Sequence, residues 1–378
     1  MPLDLLGKSL EDLRAVLVQM GEPAYRGAQI YHALYAGRRF DFAAMSSLPA
    51  ALRERLAREA FLTLPQVAKS YRSADGTVRY LLKLASEVGA ELRVRRANEG
   101  APKVAPLQEE SKSTTIETVF MPEESRQTIC ISTQAGCAVD CRFCLTATLG
   151  LIRNLTAGEI IGQVLVALEE NRAALKPQTN VVLMGQGEPL LNYDAVMAGV
   201  RILLDANGVA LSPRRVTLST SGIVPGIERL AQEKVRPKLA VSLNASSDEQ
   251  RECIMPINKK YPLEKLLGAC RRYPLRRWEK LTFEYVLLGG FNDAPEDARR
   301  VVKLVAGLRC KVNLIPWNPG ELPYTAPHAA RIEEFRRMLT EKGVAAFVRY
   351  SRGQDIMAAC GQLALLETAD APLTKITP

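Results

Sequence analysis

The sequence predicts an α/β protein whose larger part is a partial (βα)6 parallel barrel, preceded by a small N-terminal accessory domain of helices and a β-hairpin. Two observations carry this fold class. From about residue 127, short β-rich runs alternate with helical stretches, which is typical of parallel strands joined by crossover helices. Most of these runs also end in an unusual motif, as expected where the loops at the carboxyl ends of barrel strands build an active site.

The accessory domain is predicted over residues 1–96, with residues 97–115 as a polar linker or surface loop. Apolar residues recur at helical spacing in three stretches, and Asp75-Gly76 lies between two alternating segments, which is a hairpin signal. The helical positions are Leu10, Leu13 and Leu17; Ile30, Ala33 and Leu34; and Leu48, Leu52 and Leu56.

The barrel domain is predicted over residues 116–378, including a C-terminal segment that carries Cys360. An amphipathic helix over 157–172 separates the first two strands. The six predicted strands cover residues 128–132, 180–184, 215–219, 238–243, 282–287 and 311–315, and a late run at 345–349 predicts an additional strand.

The composition is that of an ordinary globular protein with an excess of positive charge. Of 378 residues, 47% are hydrophobic and 24% are charged, and Lys and Arg outnumber Asp and Glu by 50 to 41. This excess permits a nucleic-acid partner without proving one, and each basic cluster taken singly is typical of a solvated face. The sequence shows no targeting segment and no membrane span, so we expect a cytoplasmic protein with reduced thiols.

Three of the eight cysteines lie close together in the run Gly136-Cys137-Ala138-Val139-Asp140-Cys141-Arg142-Phe143-Cys144. A loop this short can wrap three thiolates around one iron–sulfur cube and leave the fourth iron open. Zinc is the alternative, although it normally takes four closed ligands. The spacing resembles the signature of the radical S-adenosylmethionine (SAM) superfamily. That resemblance implies one 4Fe–4S cluster ligated by Cys137, Cys141 and Cys144, with SAM bound to the open iron.

Residues at the other strand ends are candidates to hold SAM. The Gly-rich turn around Gly187 lacks the third glycine of a dinucleotide fingerprint, so a phosphate cradle is rejected. Glu188 can hold the ammonium group of SAM, and a plain turn is the alternative. Hydroxyl and amide groups can bind the ribose, the adenine and the carboxylate. The candidates are Gly187, Glu188, Ser219, Ser242, Leu243, Asn244 and Asn318.

Further motifs run along nearly the whole chain. They are Gly-Glu-Pro-Leu-Leu-Asn at 187–192, Ser-Thr-Ser-Gly at 219–222, Met-Pro-Ile-Asn-Lys-Lys-Tyr at 255–261, Leu-Ile-Pro-Trp-Asn-Pro at 314–319 and Ala-Cys-Gly-Gln-Leu at 359–363. With the cysteine loop, they resemble the RlmN family of RNA (adenine-C2) methyltransferases more than its relative Cfr, which methylates adenine C8. Gln186 departs from the family pattern, where methionine is frequent, and Asn244 departs where histidine is common.

The resemblance implies a mechanism that uses two SAM molecules per turnover. Cys360 takes a methyl group from one SAM, and a 5'-deoxyadenosyl radical from the second removes hydrogen from it. The carbon radical adds to adenine C2 and tethers the RNA to Cys360. The resemblance assigns loss of the C2 proton to Glu117 and release of the product to Cys130, whose thiolate attacks the Cys360 sulfur to form a disulfide. From the residues alone, Cys130 fits a core position equally well, and Glu117 is typical of a solvated loop acid.

The implied substrates are an adenosine in the peptidyl transferase centre of 23S rRNA and the adenosine 3' of the anticodon in some tRNAs, unstacked to reach the cluster. The accessory domain would grip the RNA, a reducing donor such as flavodoxin would serve the cluster, and a monomer is the default. Two alternatives remain: a radical SAM enzyme acting on adenine C8 or on a non-RNA substrate, and a non-catalytic zinc-containing RNA-binding module. Cys253, Cys270 and Cys310 are predicted to be small core residues.

Overall fold

The computed structural model describes residues 2–84, 114–318 and 322–363. Its N-terminal unit contains three helices, as the apolar spacing predicts. Ser9 caps the first: its hydroxyl accepts a hydrogen bond from the Asp12 amide, and the Asp12 carboxylate accepts one from the Ser9 amide. Two short strands pair in parallel and join the ends of the unit. The elements are β1 (Leu3–Asp4), α1 (Leu10–Gln19), α2 (Tyr25–Tyr31), α3 (Ala50–Glu59) and β2 (Ala60–Phe61).

Of the twelve further strands in the described residues, ten form one sheet and two pair with each other in a separate small sheet. The strands after the N-terminal unit are β3 (Gln66–Arg72), β4 (Val78–Lys83), β5 (Thr115–Pro122), β6 (Arg126–Cys130), β7 (Gln134–Gly136), β8 (Leu151–Asn154), β9 (Gln178–Leu183), β10 (Val216–Thr220), β11 (Lys238–Ser242), β12 (Leu281–Leu287), β13 (Cys310–Pro316) and β14 (Ala346–Val348). The order of the large sheet is β14-β13-β12-β11-β10-β9-β6-β5-β4-β3, and β7 pairs antiparallel with β8 in the small sheet. Within the large sheet, β6 and the strands β9 to β14 are all parallel to one another. The predicted partial barrel is therefore confirmed, with β14 as the additional strand.

Helices connect the parallel strands, because a parallel neighbour can be reached only by a long crossover. The first of them, α4, begins with a capping box in which Thr156 and Glu159 satisfy each other's backbone amides. The helices are α4 (Ala157–Glu170), α5 (Tyr193–Leu204), α6 (Val224–Ala231), α7 (Asp248–Ile254), α8 (Leu263–Arg272), α9 (Pro295–Leu304) and α10 (Ala329–Glu341). This order leaves the carboxyl ends of the strands together at one end of the barrel.

The hairpin belongs to the same sheet as the barrel. β3 and β4 pair around Asp75-Gly76 as predicted, and Gly76 adopts a φ of +83°, which favours glycine. β4 pairs antiparallel with β5, and β5 pairs antiparallel with β6. The hairpin is thus a lateral extension of the barrel sheet. Residues 97–113, which make up most of the predicted linker, lie outside the described residues. The same is true of the basic run Arg93-Val94-Arg95-Arg96.

The N-terminal unit packs against α4 and α5 in one continuous core. The Tyr31 hydroxyl donates a hydrogen bond to Asp205 just after α5 (3.1 Å). The backbones approach closely at Gly158, where an added Cβ would lie 2.8 Å from the Leu6 carbonyl oxygen. Any larger residue at Gly158 would push the unit off the barrel.

The three cysteines outside the site differ in how deeply they are buried. Cys270 is buried as predicted, Cys310 is half-buried and Cys253 is exposed. The prediction of a core position is wrong for Cys253, because α7 buries the face that carries Arg251 and Ile254. In the described ranges, no helix is long and apolar enough to cross a membrane.

Candidate active site

A cavity lies at the carboxyl ends of the parallel strands, where the sequence predicts the active site. We call it the thiol cavity, because three of its lining residues are the clustered cysteines. Among the residues that line it are Cys137, Cys141, Cys144, Gly187, Glu188, Ser219, Ser242, Asn244, Asn318 and Cys360. The fold therefore brings together nearly every candidate SAM-binding residue. Leu243 is the exception: its side chain is fully buried, and its amide donates to the Glu284 carbonyl (2.9 Å).

The three clustered cysteines lie on one loop after β7, and all are free thiols. The loop is closed by a hydrogen bond from the Cys144 amide to the Cys141 carbonyl (3.0 Å). Burial raises the pKa of Cys137 to about 11 and raises the pKa of Cys141 and Cys144 as well. In the described part of the chain, no three His, Cys, Asp or Glu side chains converge to hold a single metal ion. The thiols instead surround a cavity, and this donor set fits a cluster whose irons are ligated separately.

Glu188 joins two strand-end loops. Its carboxylate accepts hydrogen bonds from the Leu190 amide (3.0 Å) and from the Ser221 amide after β10 (2.6 Å). Burial raises the pKa of the Glu188 carboxyl, although these hydrogen bonds oppose the shift. Gly187 is required for close packing, because an added Cβ would lie 2.5 Å from the Gln134 side chain and its φ is +96°. The turn therefore has a structural role and also faces the cavity.

The side chains of Asn244 and Asn318 make hydrogen bonds within the protein. The Asn244 side-chain oxygen accepts a hydrogen bond from the Val286 amide (2.9 Å). The Asn318 amide group donates to Ser351 (2.9 Å) and to the carbonyl of Cys360 (3.2 Å). Asn318 thereby ties the end of β13 to the segment that carries Cys360.

Cys360 is held beside the cysteine loop. The Leu145 amide donates to the Gly361 carbonyl (2.8 Å), and the Thr146 hydroxyl donates to the Leu363 carbonyl (2.6 Å). Cys360 is exposed by surface area because it opens into the cavity, while the protein atoms packed around its sulfur desolvate the thiol. This burial, with the charges of Glu284 and Cys144, raises the pKa of its thiol to about 12. The C-terminal segment is thus fixed directly against the cysteine loop.

A second cavity occupies the barrel interior and meets the thiol cavity at Cys360. We call it the basic cavity, after the Arg and Lys residues in its wall. Met184, Glu284, Ile315 and Cys360 line both cavities, and Cys130 on β6 lines the basic cavity. Burial raises the pKa of the Cys130 thiol, and a negative charge on Cys360 would raise it further. Cys130 and Cys360 therefore line the same cavity, and Cys130 also packs in a small apolar cluster.

Glu117 lies in β5 and is fully buried, so the alternative of a solvated loop acid is wrong. Its carboxylate accepts hydrogen bonds from Arg79 on β4 (2.7 Å) and from Gln186 of the Gly-rich turn (3.3 Å). It lines neither the thiol cavity nor the basic cavity. The structure thus places Glu117 against Gln186 of the turn and outside both cavities.

Glu284 is a site residue that the sequence analysis missed. It lies in β12, lines both cavities, and accepts a weak hydrogen bond from Ser219 (3.4 Å). Burial raises the pKa of its carboxyl, while hydrogen bonds from Asn313 and Ser219 oppose the shift. An acid inside the apolar run Thr282-Phe283-Glu284-Tyr285-Val286 was the available signal, because a buried strand seldom keeps a carboxylate without a purpose.

The hairpin turn holds the segment that leads to Cys360. Asp75 accepts hydrogen bonds from the Gly353 amide (3.1 Å) and from Arg352 (3.3 Å), and Ser73 donates to Asp355 (2.6 Å). Burial acts to raise the pKa of Asp75, but hydrogen bonds from Thr77 and Gly353 and the charge of Arg352 outweigh it and lower the pKa to about 2. The hairpin therefore contributes to the position of Cys360.

Replacing Asp75 with asparagine should loosen this segment, because the side chain keeps its shape and loses its charge. We expect the Gly353 amide hydrogen to exchange about fivefold faster, as for the loss of one hydrogen bond. Hydrogen exchange resolved by mass spectrometry measures the effect. Asp194→Asn is the matched control. Asp194 lies on α5, away from the hairpin, and it also pairs with an arginine, Arg229 on α6. Unchanged exchange at residues 352–355 in Asp75→Asn would contradict the assignment.

Comparison with known proteins agrees with this geometry. Residues 131–303 match the model of the radical SAM superfamily, and residues 3–62 match the ribosomal RNA large subunit methyltransferase N-terminal domain. A solved radical SAM methyltransferase from Sphaerobacter thermophilus is 42% identical and covers 96% of this chain and 99% of its own, with a TM-score of 0.85. The open parallel barrel with three thiols at its first loop is thus that of a radical SAM methyltransferase, a class that carries a 4Fe–4S cluster and uses SAM.

Curated relatives identify the family within this class. The probable dual-specificity RNA methyltransferase RlmN of Koribacter versatilis is 47% identical over 91% of this chain and 97% of its own length. The dual-specificity RNA methyltransferase RlmN of Anaeromyxobacter dehalogenans is 44% identical over 96% of this chain and 91% of its own. The chain belongs to the RlmN family.

Proposed function

We propose that this enzyme methylates C2 of an adenosine in 23S rRNA and of the adenosine 3' of the anticodon in some tRNAs, with Cys360 as the methyl carrier. One observation carries the proposal: Cys360 lies where the thiol cavity meets the basic cavity, and Cys130 is in the wall of the latter. A sulfur that must accept a methyl group on one side and be attacked by a second sulfur on the other requires such a position.

The thiol cavity is proposed to hold the cluster and SAM. Cys137, Cys141 and Cys144 would ligate three irons. When bound, the cluster supplies the electron that cleaves SAM and so starts the radical chemistry. The residues proposed to hold SAM are Gly187, Glu188, Ser219, Ser242, Asn244 and Asn318; the sequence candidate Leu243 is left out because it does not line the cavity. Asn244 and Asn318 support this by position, since both line the cavity while their side chains are fixed by the protein.

Cys360 acts twice. Its thiol loses a proton and the sulfur attacks the methyl carbon of one SAM, which forms the S–CH3 bond and breaks the bond to the sulfonium sulfur. The raised pKa of Cys360 means that a base must accept the proton, and Glu284 lines the same junction. After loss of a hydrogen atom, the carbon on Cys360 joins adenine C2 and links the RNA to the protein.

Glu117 and Cys130 complete the cycle. Glu117 is the proposed acceptor of the C2 proton; because it lies behind the turn at Gln186, that turn must shift when the proton is transferred. Cys130 then attacks the Cys360 sulfur, so that the disulfide bond forms while the bond from that sulfur to the transferred carbon breaks. The carbon takes up a proton to become the methyl group of methyladenosine, and the unpaired electron left by the addition would return to the oxidised cluster. An external dithiol and a reducing donor such as flavodoxin would restore the thiols and the cluster. We propose a cytoplasmic protein, because this cycle needs reduced thiols, and we take a monomer as the default.

Nucleoside mass spectrometry tests the position of methylation. The reconstituted enzyme, incubated with SAM, a reductant and unmodified 23S rRNA or tRNA, should produce 2-methyladenosine in both RNAs. A reaction without reductant is the control, because Cys360 can still be methylated while the radical step cannot start. Formation of 8-methyladenosine would favour the C8 alternative, and absence of any methyladenosine from both RNAs would contradict the proposal.

A further inference from the structure

The basic cavity opens at the opposite end of the barrel from the thiol cavity. Arg126 begins β6, Lys238 begins β11 and Lys311 follows the first residue of β13, and all three line this cavity. From these amino ends the lining continues along the strands to Glu284 and Cys360. The cavity is therefore a passage from the far mouth of the barrel to the proposed methyl carrier.

Most cations of this mouth have no carboxylate partner; Arg126 is an exception, since it pairs with Glu123 of the same cavity (2.6 Å). Within the described residues, Lys238, Lys311, Arg214, Arg215 and Arg349 form no ion pair at 4.0 Å or less, although all line the cavity. Arg215 bonds instead to the neutral side chains of Gln178 and Asn180. Burial and the neighbouring cations lower the pKa of Lys238 and Lys311. Cations packed in this way favour an anionic ligand.

Aromatic side chains lie among these cations and are open to solvent. Tyr350 is 70% exposed and lines the basic cavity, and Phe347 is 47% exposed. Phe347 also lies within 6.0 Å of the Lys311 ammonium and 5.7 Å of the Arg349 guanidinium. A positive surface interleaved with exposed rings is the usual platform for single-stranded nucleic acid, because phosphates pair with the cations and bases stack on the rings. A small free anion would pair with the cations but would make no use of the exposed rings, so it accounts for only half of this surface.

We propose that the target adenosine reaches Cys360 through the basic cavity, with the phosphates of a single-stranded RNA loop bound at its mouth by Lys238 and Lys311 and a flanking base stacked on Tyr350. This inference rests on the function proposed above. SAM and RNA then approach Cys360 from opposite ends of the barrel. Such an arrangement gives a physical reason for a methyl-carrying cysteine, because the carrier passes the carbon between two cavities that meet at one side chain.

The test is a double variant, Lys238→Gln with Lys311→Gln, binding a stem–loop RNA that carries an adenosine in its loop. At 0.15 M salt the Kd should rise about tenfold, and the slope of log Kd against log salt should fall by about 1.4, since each phosphate contact of a single strand contributes about 0.7. The iron and sulfide content after reconstitution should equal that of the wild type, which shows that the variant is folded. The control is Arg336→Gln with Arg337→Gln, which removes the same charge from α10, where both arginines pair with Glu333 and Glu341.

Tyr350→Ala provides a second, independent arm. Loss of the ring should raise the Kd for RNA and leave the salt slope unchanged, because a stacking contact releases no counterions. Wild-type Kd and salt slope in the lysine variant, or equal losses in the α10 control, would overturn the route while leaving the proposed function intact. A wild-type enzyme that binds the RNA through these residues but forms no methyladenosine would instead refute the proposed function.

Discussion

Replacing Cys360 with alanine should abolish methyl transfer to RNA, a loss on the order of 10³-fold or more, since the covalent carrier is removed. Cluster binding should survive, because the three ligand thiols lie on a separate loop and the Cys360 contacts to it are made by neighbouring backbone groups. Two measurements check this result: methyladenosine by nucleoside mass spectrometry, and iron and sulfide content after reconstitution. The combination separates loss of the carrier from loss of the metal site.

Cys253→Ala is the matched control for this experiment. Cys253 is an exposed thiol on α7 that lines neither cavity, so its removal should leave the RNA product at the wild-type level. If Cys360→Ala retains full activity while its iron content is normal, Cys360 is not the carrier and the proposed mechanism fails.

Replacing Cys130 with serine should arrest the enzyme after carbon–carbon bond formation. Serine preserves the size of the side chain but cannot attack the Cys360 sulfur to form a disulfide. The RNA should therefore remain attached to the protein, visible as a slow-migrating species on a denaturing gel, and product should stay below about one molecule per enzyme. Nuclease digestion and mass spectrometry should locate a nucleotide on the peptide that contains Cys360.

Cys270→Ser controls for the cost of placing a hydroxyl in a buried position. Cys270 is also buried, but it lies on α8 outside both cavities. We expect it to lose stability and to release product normally. Free turnover in Cys130→Ser, with no trapped RNA, would show that another group resolves the adduct.

The local features of the site could be predicted because they depend on short stretches of chain. The spacing of Cys137, Cys141 and Cys144 on one loop indicates a shared ligand whatever the rest of the fold does. The β-rich runs and the Asp75-Gly76 turn likewise predicted strands that the structure contains, with ends shifted by a residue or two. The spacing of hydrophobic residues and the residue types of a turn depend only on neighbours along the chain, so they can be recognised in the sequence.

Contacts between distant segments could not be predicted in the same way. From the sequence alone Glu117 is typical of a solvated loop acid, whereas in the structure it is buried in β5 beside Arg79, which is 38 positions away and meets it only across the sheet. Glu284 becomes a site residue because β12 lies between β11 and β13, where it faces both cavities. Cys253 shows the converse, because the sequence predicted a buried residue and the structure exposes it. The short helix α7 buries the face that carries Arg251 and Ile254 instead.

The sequence by itself determined the class of chemistry and the family, because these are carried by residue types at fixed local spacing, and its resemblance to the family supplied the reactive sulfurs that we propose. Only the tertiary structure decided that Cys360 stands between two cavities, that the hairpin turn holds its segment, and that unpaired cations gather at the far mouth of the barrel. Each of these depends on which strands lie side by side, and that is set by burial of apolar surface across the whole chain.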